Sequence, residues 1–273
     1  MSRSFRSAAV VLSIVGSLAM PAAALATGGG SPRSLTCTGV VSGGTYSSLN
    51  VPAGQFCYLS NATILGNATV QSTASLELDQ TGAIRGDVLV NDQAGFSEGQ
   101  DWTIRGTTLG NSADLLNIYG TAHNILANND GTLGIQSATI YGNVVSNKGI
   151  YGGAIVSSAI HGNVLVNATS PGQYGVDSTW FIAGPQLSGD QQEIDGNLVL
   201  TNNQSPIYVF YNHVHQNLVC EGNNPPPYND FEGITNTVDG RSIGQCATLT
   251  SPPPSTDGDA QASALTAAAA AKH

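Results

Sequence analysis

Basic residues are few. The 273-residue chain holds eight Lys and Arg against 18 Asp and Glu, and charged residues make up only 10% of it. A surface this acidic repels nucleic-acid phosphates and anionic lipid heads, and it disfavours polyanionic substrates unless a cation intervenes. No Cys-x-x-Cys pair occurs among the four cysteines, which removes the usual thiol signatures of zinc binding and redox exchange. The strict six-residue beat of a hexapeptide left-handed solenoid is absent, as are the Leu-x-x-Leu-x-Leu skeleton of leucine-rich repeats and any amphipathic helical period. Also missing are the regular Thr-x-Thr ranks of a flat ice-binding face and a Leu-Pro-x-Thr-Gly sorting signal for cell-wall attachment.

What the chain does have begins with an export signal. Arg3 and Arg6 precede an apolar run from Ala8 to Met20, too short to span a bilayer, and a small-residue cleavage site at Ala24 to Ala26 follows. Residues 1–26 are therefore expected to be a signal peptide, with a secreted, extracellular product that keeps no membrane span. Losing Arg3 and Arg6 leaves six basic residues against 18 acidic ones, a formal charge of −12.

One phrase then recurs: "TILGNATV", "AIRGDVLV", "TIRGTTLG", "TIYGNVVSN", "AIHGNVLVN", "EIDGNLVLTN", "HVHQNLVCEG". Its leading apolar residues are Ile64, Ile84, Ile104, Ile140, Ile160, Ile194 and Val214, with a degenerate copy starting at Thr121 and a last one at Val238. Most steps are near 20 residues; the step of 34 between Ile160 and Ile194 reads as hiding a degenerate coil, with Ser170 to Gln186 as part of it. Short β-branched units punctuated by Gly predict an all-β fold, a single right-handed parallel β-helix over 37–249. A flexible segment, 27–36, precedes it, and a disordered Pro- and Ala-rich tail, 250–273, follows.

Stacking the copies produces columns. Asn67, Asp87, Thr107, Asn124, Asn143, Asn163, Asn197 and Asn217 form one, and Asn91, Asn111, Asn128, Asn147 and Asn167 another. Both read as turn ladders, because Asn tolerates left-handed backbone and its amide can bond the same amide one coil away. Three Asn-Ala-Thr sequons, at Asn61, Asn67 and Asn167, would be glycosylation acceptors in a eukaryote, and for Asn67 and Asn167 their place in the ladder columns favours the structural role. A third column, Leu89, Leu109, Leu126, Val145, Leu165, Val199 and Val219, is core if it points inward, as strand alternation favours, and a bare apolar stripe fit for self-association if it points outward. Cys37 and Cys57 lie one coil apart, and Cys220 and Cys246 bracket the last coil, so the pairs Cys37–Cys57 and Cys220–Cys246 are expected as staples of the two ends.

The "IxGNVxVxN" phrase together with the closing "CEGNNPPP…NTVDGRSIGQC" resembles secreted actinobacterial β-helix proteins of unknown function, over roughly Ser34 to Thr248. The resemblance implies a pectin-lyase-like fold and export, and it carries no catalytic residues.

Candidate chemistry follows from the columns. For polysaccharide cleavage, two carboxylates must face each other across a glycosidic bond, and Glu77, Asp79, Glu98 and Asp101 are the densest acidic group. Arg85 and Arg105 share a column, and pairing with Asp87, Asp101 or neighbouring acids explains them. A sugar-stacking row of Tyr119, Tyr141 and Tyr151, each in "IYG", would serve a module that binds extracellular polysaccharide or a cell surface. In register, Glu193 falls beneath His213 and Asp195 beneath His215, with Asp239 in the next coil. Two imidazoles and two or three carboxylates on one patch could hold a divalent metal, zinc or calcium; without one they form an electrostatic patch. The expected function is a non-catalytic structural or adhesive module, with a polysaccharide-degrading enzyme as the alternative.

Overall fold

A computed structural model describes residues 31–171, 178–184, 191–229 and 235–250; the expected signal peptide and nearly all of the tail lie outside them. The chain forms a parallel β-solenoid of about nine turns, roughly 20 residues apart. Three ribbons of parallel strands run along it. Sheet A starts at Thr45–Tyr46 and ends at Thr237–Val238, passing through the leading residues Ile64, Ile84, Ile104, Ile140, Ile160, Ile194 and Val214. Sheet B starts at Leu35–Thr36 and ends at Ser242–Gly244. Sheet C starts at Gly39–Ser42, reaches Ile207–Phe210, and closes with a bridge from Tyr208 to Tyr228.

The sequence folds this way because each "IxGN" phrase is a strand, a corner and a second strand. The leading residue is buried on sheet A, and the glycine two places later sits where successive corners nearly touch. A Cβ on Gly162 would lie 2.3 Å from the Gly142 carbonyl oxygen. Next comes the amide: Asn163 donates both its backbone N–H and its Nδ2 to Oδ1 of Asn143, each at 2.9 Å, and Asn197 and Asn217 repeat the pattern. Asn67 and Asp87 accept in the same way from the coil above. One side-chain oxygen thereby satisfies a corner N–H that neither sheet reaches.

The second asparagine column also forms a ladder, with Asn147 bonding Asn128 at 3.2 Å and Thr201 bonding Asn167 at 3.0 Å. The residues of neither column are left-handed, although both were expected to tolerate that backbone. The positive φ angles fall one residue after the second column, at Ser112, Asn129, Lys148 and Ala168, since the strand must finish before the corner turns.

Three further expectations are corrected. The column from Leu89 to Val219 faces outward and is half-buried, whereas Val88, Val90, Val144, Val164, Val166, Leu198 and Leu200 fill the core. The corner between sheets A and B keeps the parity of the strands: even steps from Ile84 put Val88 and Val90 inward, and the odd step of five puts Leu89 outward, so alternation properly counted opposes the inward reading. The 34-residue step holds no hidden coil: Ile160 pairs directly with Ile194, and Trp180–Ala183 supplies the sheet C strand of that single long turn. In the degenerate copy the buried position is Ala122, paired with Ile104 and Ile140, one residue beyond Thr121.

Both expected disulfides are present, with Cα–Cα distances of 5.5 Å for Cys37–Cys57 and 5.1 Å for Cys220–Cys246. They cover the ends of the stack, where a solenoid would otherwise offer unpaired backbone. Two inward-facing amide ladders that the sequence reading missed tie down the last coils. Asn203 bonds Asn223 at 2.8 Å, and Asn212 bonds Asn236 at 2.8 Å. Removing Cys37–Cys57 by paired serine substitution is expected to lower stability by roughly 3 kcal/mol in the chain-entropy model, read by denaturant unfolding. Unchanged stability would show that the first coil needs no staple.

One buried carboxyl gives the fold a pH dependence. Asp130 accepts the Ala113 N–H at 2.8 Å, but its other oxygen has no partner, and burial pushes its pKa to about 7 against an ordinary 3.8. Because the folded value is the higher one, the contribution is complete below pH 3.8 and is lost as pH rises through about 7. Asp130→Asn is expected to remove that loss and to raise stability at pH 8 by at most about 4 kcal/mol. Parallel stability-against-pH curves for the two proteins would contradict this.

Candidate metal centre

Sheet A places the histidines. In Gln192–Ile194 and Asn212–Val214 the first and last residues are buried, so the residue between them and the residue after the strand face outward. Glu193 pairs with His213 and His213 with Thr237, while Asp195, His215 and Asp239 follow the stacked Ile194, Val214 and Val238 in the next outer column. Strand spacing brings these side chains within reach without any loop having to close.

Two imidazoles and two carboxylates converge. Glu193 Oε2 lies 3.2 Å from His213 Nδ1 and 3.0 Å from His215 Nε2. On the other side, Asp239 Oδ1 is 3.2 Å from His213 Nε2, and its Oδ2 is 2.9 Å from His215 Nδ1. The two rings lie 4.1 Å apart between centroids. Ligand atoms of Glu193, His213 and His215 all fall within 4.8 Å of one another. Asp195 stands at the margin: its Oδ1 is 3.9 Å from His215 Nε2, and its Oδ2 takes the His161 Nδ1 contact at 2.8 Å. His161 in turn stacks on Tyr141 at 5.2 Å. Of the four expected metal ligands, three are thus brought together, and Asp239 replaces Asp195 as the carboxylate bound to both rings.

The electrostatics follow the contacts. The bond to Asp239 raises the His215 pKa above its ordinary value, opposed by burial and reinforced by Glu193. Hydrogen bonds from His213 and then His215 hold the Asp239 carboxyl below the usual range. Among the described residues every ion pair uses a histidine, so the expected pairing of Arg85 and Arg105 with nearby acids is not formed.

The acidic group expected for polysaccharide cleavage also comes together, around a depression of about 420 Å³ bordered by Glu77, Asp79, Glu98, Asp101 and Tyr119. Glu77 and Asp79 project from the outer wall of sheet C. The Tyr58 hydroxyl donates to Asp79 and, with the Gln80 N–H, lowers its pKa. Glu98 follows the inward phase of Ala94 and Phe96 and is fully buried. Desolvation holds its carboxyl well above the usual range, opposed by the Gly120 N–H. One raised and one lowered carboxyl is what a glycosidase requires, but both must meet the substrate, and Glu98 has no exposed surface.

The three IYG tyrosines do not form a row. Tyr141 lies on sheet A, Tyr151 borders one depression and Tyr119 another. Among the described residues, the aromatic row on the outer wall of sheet C is Phe181, Tyr208 and Tyr228, the first pair stacked at 5.3 Å and the second tilted at 5.7 Å. Its signal in the sequence was masked by the long step, which hid that Phe181 and Tyr208 are register partners.

The fold and site define a disulfide-stapled parallel β-solenoid with a histidine–carboxylate cluster on one outer wall. The chain matches no protein-family model, no curated protein and no solved structure.

In metal-free protein, NMR titration is expected to place the His215 pKa above 6.5, its contribution to stability complete below that value and lost as pH rises through the folded one. Asp239→Asn should move it back down; an unmoved value would mean that Asp239 does not hold the ring.

Proposed function

We propose that this protein is a secreted, non-catalytic surface module that binds extended polysaccharide along the outer wall of sheet C. One observation carries the reading. Asn117, Gly134, Ala154, Phe181, Tyr208 and Tyr228 occupy one outward column on successive coils. Gly134 and Ala154 leave the wall low, and beyond them rises the aromatic stack, in which Phe181 is 41% and Tyr228 42% exposed. Five coil steps of about 4.8 Å make a straight track of roughly 24 Å. Aromatic rings offer apolar surface with a polar tip in Tyr, a combination suited to sugar rings. Two disulfides fit an oxidising, extracellular setting.

Cleavage is the second reading, because Glu77 lies farther along the same outer column, through Ser97 and Asn117, and borders the acidic depression. A glycan array combined with a reducing-sugar release assay separates the two. Binding without release is expected, weakened at least tenfold by Phe181→Ala with the Cys37–Cys57 end of the rod untouched. Release of reducing ends that is abolished by Glu77→Gln would establish the enzyme instead, and no binding to any glycan would end the polysaccharide reading.

A further inference from the structure

The histidine cluster is over-supplied with acceptors. Each ring faces a carboxylate oxygen with both of its nitrogens: Glu193 and Asp239 for His213, and Glu193 and Asp239 for His215. A neutral imidazole has one N–H, so it can satisfy only one of its two contacts and turns a lone pair toward the other oxygen. Satisfying all four contacts with protons would require both rings, 4.1 Å apart between centroids, to carry two N–H groups each at the same time. A divalent cation resolves this. Placed where His213 Nδ1, His215 Nε2 and Glu193 Oε2 converge, it takes three lone pairs, and each ring stays neutral with its remaining N–H donated to Asp239.

The distances suit a small ion. Nitrogen and oxygen ligands at about 2.0 to 2.1 Å from a tetrahedral zinc are separated from each other by roughly 3.3 Å. The two nitrogen-to-Glu193 distances are 3.2 and 3.0 Å. Calcium is disfavoured, since it takes six or more oxygens and imidazole is a poor ligand for it. Asp239, bonded to the outer nitrogen of both rings, is the carboxylate that fixes tautomer and orientation in metal–histidine sites.

We infer that Glu193, His213 and His215 form a binding site for one zinc-class divalent ion on the outer wall of sheet A, with Asp239 as the positioning residue for both imidazoles. Asp195, whose Oδ1 is 3.9 Å from His215 Nε2, is the nearest oxygen for the fourth position. The inference is independent of polysaccharide binding, which lies on another face.

Calorimetric titration of the purified protein with zinc chloride tests it, with cobalt(II) absorption as a second measurement on the unaltered chain. Saturable one-to-one binding is expected, along with an intense visible cobalt band of tetrahedral type. His213→Ala or His215→Ala should weaken zinc at least 100-fold, and Asp239→Asn by 10- to 100-fold. Asp79→Asn, on sheet C, should change nothing. Circular dichroism of each variant checks that the solenoid is intact. Absence of heat and of the cobalt band would overturn the site. So would affinity that survives both histidine substitutions, which marks adventitious binding to an acidic surface. Wild-type affinity in Asp239→Asn would remove the positioning role.

Discussion

Parallel hydrogen bonding between successive coils is the constraint from which the rest of this structure follows. Each strand pairs in register with the strand one coil away, so a residue's nearest outward neighbours are the residues at the same place in the repeat. A choice made once in the repeat is therefore made about nine times in space. Buried isoleucine and valine columns become a continuous core, and the asparagine column becomes a ladder that satisfies corner N–H groups from end to end.

The same constraint explains the scarcity of charge. Like charges in one column would sit about 5 Å apart for the length of the rod, each pair costing on the order of 1 kcal/mol even in water. Amides, hydroxyls and aliphatic groups stack without that penalty, and they dominate the outer columns. Arg85 and Arg105 are the exception, like charges on successive coils of sheet A; farther along the same column imidazole and carboxylate alternate, as His161, Asp195, His215 and Asp239 follow one another. That alternation, with Glu193 and His213 beside it, is why every ion pair among the described residues lies on this wall.

A rod built by stacking has two ends that stacking cannot complete. The disulfides lie at those ends, and the inward amide ladders of Asn203, Asn223 and Gln245, and of Gln192, Asn212 and Asn236, are confined to the closing coils. Buried amides of this kind are tolerable because each is bonded on both sides. The final coil also delivers Asp239 to the histidines, so the closure of the rod and the geometry of the candidate metal centre share one segment.

The sequence by itself determined the fold class, the coil length, both disulfide pairs and the asparagine ladders, because the repeat writes each of them many times at fixed spacing. It also placed Glu193 under His213 and Asp195 under His215, since only register was needed. What tertiary structure alone decided depended on corners and loops, which the repeat does not encode. The inward phase of Ala94 and Phe96 continues to Glu98 and buries it. Loops of unequal length in the 34-residue turn concealed the alignment of Phe181 with Tyr208. Rotamers chose among the carboxylates, setting Asp195 on His161 and giving Asp239 to both rings. Column membership is a property of spacing along the chain, whereas which oxygen meets which nitrogen is fixed only when neighbouring coils compete for the same contacts.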